Sequence, residues 1–316
     1  MKKKLAASSA MAFIVLMGIV SMFSDITHEG AAGIMGAYLG LAGASAAAIG
    51  FVSGLGECIG YSLRLLTGYL TDRSKKYWTL TIIGYVIDCA AIPALALVPR
   101  GGWMLACGLI VVQRIGKAIK KPAKDTIISF AAAQNGIGKS FALQELLDQT
   151  GAFLGPVLLF LVMLLKKSDD MFSVYSVCFL ILGIPALITI ALLLFAKKKF
   201  PRPENFEQTD DKEEAVPFRL SKPFILYIVA ISLFAAGFID FSLITLHTAN
   251  LALVPESTLS LVYAGAMAVD AGAALLFGWL FDKYGTRVLV LSTLLSAPFG
   301  LFVFLINSRW ALLVGV

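Results

Sequence analysis

GYLTDRSKKYW, from Gly68 to Trp78, returns 210 residues later as GWLFDKYGTRV, from Gly278 to Val288. Both copies read G-x-L-x-D followed by a basic residue, and both close a long apolar run with a short charged turn. Gly68 and Gly278 lack a side chain, so a neighbouring helix can approach closely. Asp72 and Asp282 sit where an anion can face the positive end of a helix, and Arg73 and Lys283 can hold a nearby carboxylate. A second echo supports the first: MFSD, ending at Asp25, and GFID, ending at Asp240, are 215 residues apart. Offsets that agree within five residues point to a duplicated bundle of helices.

The surroundings are those of a membrane chain. Of 316 residues, 59% are hydrophobic and 15% charged, against about 45–50% and about 25% in soluble domains. Met171 to Ala196 and Ala31 to Gly56 are each 26 residues long, Val288 to Ser308 is 21 and Gly151 to Leu165 is 15, and none of the four carries a charge. Each reaches or approaches the ~20 residues that cross the hydrocarbon. Helices are predicted near 9–40, 45–71, 78–98, 102–121, 140–165, 171–196, 223–250, 257–281 and 287–306, with a tenth beginning at Arg309. The basic start followed by apolar residues imitates a secretory signal, but apolar character continues past Asp25 and Glu29 to Leu41, which makes it the first helix. Cys58, Cys89, Cys107 and Cys178 lie within apolar runs with no metal-ligand or disulfide spacing.

Lys and Arg set the orientation, because cytoplasmic loops carry the excess. Twenty fall on one side, in Lys2–Lys4, Arg73–Lys76, Lys117–Lys139, Lys197–Lys222 and Lys283–Arg287, and four on the other, at Arg100, Lys166, Lys167 and Arg309. Arg64 and Arg114 lie inside helices. The N-terminus is thus placed in the cytoplasm, in a multi-pass protein of the plasma or inner membrane. The net charge of +6 is spread between apolar runs and makes no face for nucleic acid. Residues 197–222 form the only long polar stretch and divide the chain into a six-helix bundle (1–196), a cytoplasmic linker and a second bundle (223–316).

These motifs resemble the major facilitator superfamily, whose loop after the second helix reads G-x-L-[AG]-D-[RK]-x-G-R-[RK]. The first copy departs from it at Lys75; the second keeps Gly285 and Arg287 but has Thr286. The resemblance implies two pseudo-symmetric six-helix bundles, with Gly68, Asp72 and Arg73 and their counterparts Gly278, Asp282, Lys283 and Arg287 forming a latch between halves. It also implies twelve helices, so the second bundle is expected to be truncated in its tenth helix, as in a fragment of a longer protein that transports poorly alone. Gly151-Ala-Phe-Leu-Gly155-Pro156 permits tight packing and bends its helix. It resembles the first half of the G-x-x-x-G-P-x-x-G-G motif of the superfamily's antiporters, with Leu159 and Phe160 in place of the last two glycines. RIGKAIKKPAKD, from Arg114 to Asp125, resembles the superfamily's arginine-bearing fourth helix and is read as running off it into the cytoplasm.

Ionisable groups in a spanning helix are functional candidates by default. The first helix offers Asp25, His28 and Glu29; the second Glu57, Tyr61 and Arg64 on one face; the third Asp88; the fourth Arg114. The fifth has Gln144, Glu145, Asp148 and Gln149, and the later part adds Asp240, His247 and Asp270. Lipid offers such groups no partner, so they face a protein-lined or water-filled centre. Burial and exposure favour opposite charge states of a carboxyl, which makes Asp25 the first candidate to carry a proton, with Glu29 and Asp148 next. Arg114, always charged, is the expected anchor for an anionic solute group or the counter-ion of the carboxylate.

The sequence reading is therefore an all-α monomeric transporter that moves a small solute by alternating access, coupled to a proton or other ion, with antiport and efflux favoured. A symporter or uniporter of a sugar or organic anion is the alternative. A membrane sensor or assembly partner that keeps the fold is the rival from another class. No Ser/His/Asp set, metal cluster, phosphate loop or cofactor motif points to an enzyme.

Overall fold

The computed structural model describes residues 2–166, 168–206, 221–237, 239–285, 287–306 and 308–315. Eleven helices follow one another among them: α1 (Lys2–Leu41), α2 (Ala46–Ser74), α3 (Tyr77–Ala94), α4 (Trp103–Asn135), α5 (Ile137–Leu165), α6 (Met171–Lys199), α7 (Lys222–Ala236), α8 (Phe241–Asn250), α9 (Glu256–Tyr284), α10 (Arg287–Ser296) and α11 (Arg309–Gly315). No strand is present among the described residues. Among the described residues six segments are long and apolar enough to cross a membrane, in α1, α2, α3, α5, α6 and from Arg287 to Leu305. Leu65, Leu66, Leu187 and Leu226 are exposed on helix surfaces, where a soluble protein would place polar side chains. The chain has an all-α membrane architecture.

Local chemistry sets several helix ends. The Ser45 hydroxyl accepts from the Ala48 N–H at 3.2 Å and starts α2; the Asp240 carboxylate accepts from the Ser242 N–H at 2.8 Å and starts α8. This cap, with Gly237 before it, breaks the predicted helix 223–250 into α7 and α8, since a capping carboxylate competes for the backbone N–H groups a continuous helix would use. The predicted helix 287–306 likewise breaks after Ser296: Pro298 disfavours helical backbone at Ala297, and a five-residue π-helical stretch, Leu301–Leu305, follows.

α1 is central, packing along α5 and α6 and touching α4, α8 and α9. Its two ends lie in different apolar cores. Phe13, Ile14 and Met17 join Trp78, Ile127 and Leu193, while Ile34 and Tyr38 join Leu95, Tyr175 and Phe179. Tyr38 donates to the Leu95 carbonyl at 2.8 Å and Trp78 to the Phe200 carbonyl at 3.0 Å, so each core has its polar tip satisfied. Between them α1 presents Ser21, Ser24, Asp25, His28 and Glu29. The glycines of α5 bring it against this belt: a Cβ on Gly151 would strike the Met22 carbonyl, and one on Gly155 the backbone of Ile26 and Gly30.

α4 departs furthest from expectation. It continues past the expected end near 121, through Pro122 to Asn135, so the stretch with Lys117, Lys120 and Lys124, read from the sequence as running into the cytoplasm, is helical throughout. Lys120 and Lys124 are 6% and 7% exposed.

The two motif copies end alike. Lys75 closes α2 in the left-handed region at φ 53° and donates its N–H to the Thr71 carbonyl, and Gly285, the matching position after α9, has φ 65°. Glycine adopts that conformation without the side-chain clash a lysine bears. Lys75→Gly is therefore expected to raise stability by about 0.5–1 kcal/mol, measured as a higher thermal unfolding midpoint in detergent.

Candidate functional site

The buried centre is built on an approach of α3 to α4. A Cβ on Gly84 would lie 2.5 Å from the Lys120 backbone nitrogen, and one on Gly116 would lie 2.6 Å from that of Asp88. These glycines let the helices meet backbone to backbone, which places the Asp88 carboxylate at the Lys120 ammonium. Asp88 is 0% exposed. Its Oδ2 accepts from Lys120 Nζ and from His28 Nε2, the latter at 2.8 Å, and its Oδ1 accepts from the Gln113 amide at 3.1 Å. The same amide lies 3.3 Å from His28 Nδ1. With Nε2 donating to Asp88 and Nδ1 accepting from Gln113, a neutral imidazole satisfies both contacts. Lys120 also donates to Ser24 at 3.0 Å and stands 4.1 Å from the Tyr85 ring centroid.

Two cavities flank this cluster. The first, about 330 Å³, is lined by residues of α1, α2, α3, α4, α5 and α9, among them Asp25, Arg64, Lys117, Lys120, Asp148 and Asp270. The second, about 280 Å³, is lined by His28, Gln113, Arg114, Asp240 and Tyr263 among others. Glu29 and Lys117 belong to both walls. Lys120 faces the first cavity and His28 the second, so the Asp88 carboxylate connects groups on either side.

The expected site residues separate into groups. Asp25, Glu29, Arg64, Asp148 and Asp270 line the first cavity, where Asp148 lies 4.0 Å from Lys124 Nζ, Asp270 accepts from the Gln149 amide at 3.3 Å, and Glu145 accepts from the same amide at 3.1 Å. Asp25 has no hydrogen-bond partner among the described residues. Glu29 accepts from the Tyr263 hydroxyl. Arg114, expected as the anion anchor, is engaged by Glu57 and lies 3.9 Å from Asp240. Away from the cavities, Asp72 is exposed and Arg73 donates to the Tyr69 hydroxyl of its own helix at 3.4 Å. Among the described residues no hydrogen bond or ion pair joins Asp72 or Arg73 to Lys283 or Arg287. The side chains at positions 278 and 282, the calls Gly278 and Asp282, lie outside the described ones.

Lys117, Lys120 and Lys124 were missing from the sequence candidates. Their signal was present: Gln113, Lys117, Lys120 and Lys124 recur three or four residues apart, as one face of a helix does. His28, Asp88 and Cys89 bring ligand atoms within 4.8 Å of one another, a spacing open to a metal ion. The Lys120 ammonium already stands where a cation would bind Asp88.

The model of the Major Facilitator Superfamily matches residues 5–316. The chain belongs to this superfamily. It is 35% identical over 305 residues to an uncharacterized protein of Mycobacterium tuberculosis, covering 95% of this chain and 73% of that one. It is 25% identical over 284 residues to an uncharacterized MFS-type transporter of Methanocaldococcus jannaschii, covering 87% and 67%. In fold it is similar to a bacterial homolog of the human lysosomal transporter Spinster, solved inward-facing and unoccupied, with a TM-score of 0.62, 14% identity and coverage of 98% and 72%. The chain spans 59–79% of the solved transporter chains it resembles. Superfamily membership and architecture make this a multi-pass membrane protein of a transporter family.

Breaking a buried pair leaves an uncompensated charge. Asp88→Asn is expected to lower stability by about 3–5 kcal/mol, and adding Lys120→Met to recover most of it. Thermal unfolding of the two variants in detergent checks the coupling.

Proposed function

We propose that this chain is a proton-coupled secondary transporter of a small solute, working by alternating access with antiport favoured. The observation that carries the reading is Asp25, a carboxylate without a hydrogen-bond partner among the described residues, facing a charged cavity between two apolar cores. A carboxyl there changes charge state as its surroundings turn from wet to dry, the property a proton carrier needs. Glu29 and Asp148 share its cavity and serve as secondary carriers. Arg114, held by Glu57 and near Asp240, acts as a counter-ion tying α4 to α2 and to the start of α8.

Antiport is supported by the Gly151–Pro156 segment. Its glycines seat α5 on the α1 backbone on either side of Asp25, so tilting α5 moves the wall around that carboxylate. Residues 1–196 and 223–316 are proposed to rock against each other across the 197–222 linker. The chain is assigned to the plasma or inner membrane as a monomer, and its N-terminus is assigned to the cytoplasm because the Lys and Arg asymmetry survives removal of the three α4 lysines.

The test has two arms. A growth-protection and binding screen across organic cations, sugars and organic anions supplies a solute, and vesicles loaded with it report counterflow and pH-gradient-driven movement. Asp25→Asn is expected to insert normally and retain counterflow while losing gradient-driven movement by at least tenfold. Unchanged gradient-driven movement in the variant refutes Asp25 as carrier, and the absence of counterflow in the parent chain favours a sensor.

A further inference from the structure

The charges of the larger cavity are divided between two helix pairs that share its wall. α2 packs on α4 and α5 on α9, with α1 touching α4, α5 and α9. The first pair contributes Arg64 and Lys117 together with the lysines that follow, and the second contributes Asp148 and Asp270. Most of these charges are already answered: Lys120 by Asp88, Lys121 by Asp125 at 3.5 Å, and Lys124 by Asp148 at 4.0 Å. Arg64 and Lys117 have no carboxylate oxygen within 4.0 Å among the described residues. The Arg64 Nε is buried without a hydrogen-bond partner. On α9, the exposed Asp270 accepts, among the described residues, only from the neutral Gln149 amide.

A solute of one charge sign fits such a cavity poorly. An anion would satisfy Arg64 and Lys117 but face Asp25, Glu29 and Asp270; a cation would meet the reverse. A solute carrying both charges, separated, answers each helix pair, and like-charge contact against either single-sign competitor supplies discrimination. The volume of about 330 Å³ stands at the low end of the ~300–1,000 Å³ of ligand pockets, which suits a compact solute. We propose that this cavity binds a small zwitterion of amino-acid to dipeptide size, its anionic group held by Lys117 and Arg64 and its ammonium by Asp270. The inference rests on the transporter reading for its purpose and leaves Asp25 to the proton. It also moves the anion anchor from Arg114, which has carboxylate partners, to Lys117, which lies on the wall common to both cavities.

Thermal unfolding of the purified 316-residue chain with L-alanyl-L-alanine, its N-acetyl form, its amide and the doubly blocked form reads the two helix pairs separately. The dipeptide is expected to raise the midpoint, and each blocked form to need at least tenfold more for the same shift. Lys117→Gln is expected to narrow the gap between dipeptide and amide, Lys117→Arg to keep it, and Asp270→Asn to narrow the gap between dipeptide and N-acetyl form. Equal response to all four compounds overturns the proposal, as does response to succinate or glucose without the dipeptide, or no response at all. Vesicles separate the two readings: counterflow of another solute with no dipeptide response removes the zwitterion and leaves transport standing. Dipeptide binding without counterflow keeps the site and removes transport.

Discussion

An ammonium and a carboxylate can share a dry interior only if they touch and their remaining donors and acceptors are filled. Gly84 and Gly116 meet the first condition by letting α3 and α4 come into backbone contact. Ser24, His28 and Gln113 meet the second at Lys120 and Asp88. Side chains at the two glycines would push the helices apart and separate the charges. The position of Lys120 in turn decides what the larger cavity presents, because its charge is spent on Asp88 while that of Lys117, one turn earlier, is not.

α1 distributes the consequences. Its ends are anchored in apolar cores that each need their own aromatic packing, Phe13 at 5.2 Å from Phe200 in one and Tyr38 at 4.8 Å from Phe179 in the other. Between these anchors the stretch from Ser21 to Glu29 is left to carry polar groups at a depth where lipid would reject them. α5 covers this stretch through Gly151 and Gly155 and brings Asp148 and Gln149 to the same cavity. Cavity, charge and helix contact are therefore one arrangement, in which a movement of α5 or α9 changes the surroundings of Asp25.

The superfamily's loop motif is present in both copies, yet the copies are not equivalent. Gly285 takes its left-handed backbone freely, whereas Lys75 takes the same conformation with a side chain. Arg73 turns to Tyr69 of its own helix, while the side chains at positions 278 and 282 of the second copy lie outside the described ones. Arg114 shows a comparable difference. The sequence marked it as unusual, and it is, but its charge is engaged by Glu57 and, at 3.9 Å, Asp240, one of them from the part of the chain after the linker.

Sequence alone determined the class of molecule: apolar runs of membrane length, a repeated G-x-L-x-D motif and carboxylates within helices identify a bundle whose polar groups face inward, because lipid leaves them nowhere else to face. It also placed Asp25, Arg64, Asp148 and Asp270 among the candidates, and these do line one cavity. The role of α4 was lost, since a run of lysines reads as solvated when no partner is in view. Asp88 lies 32 residues away in the chain from Lys120, and His28 lies 60 from Asp88. Only tertiary packing brings them together, and with them decides which cations are neutralised and which remain for a ligand. Helix propensity and hydropathy act over a few turns, while a buried charge is stabilised by whatever touches it, so the site's chemistry belongs to the folded structure.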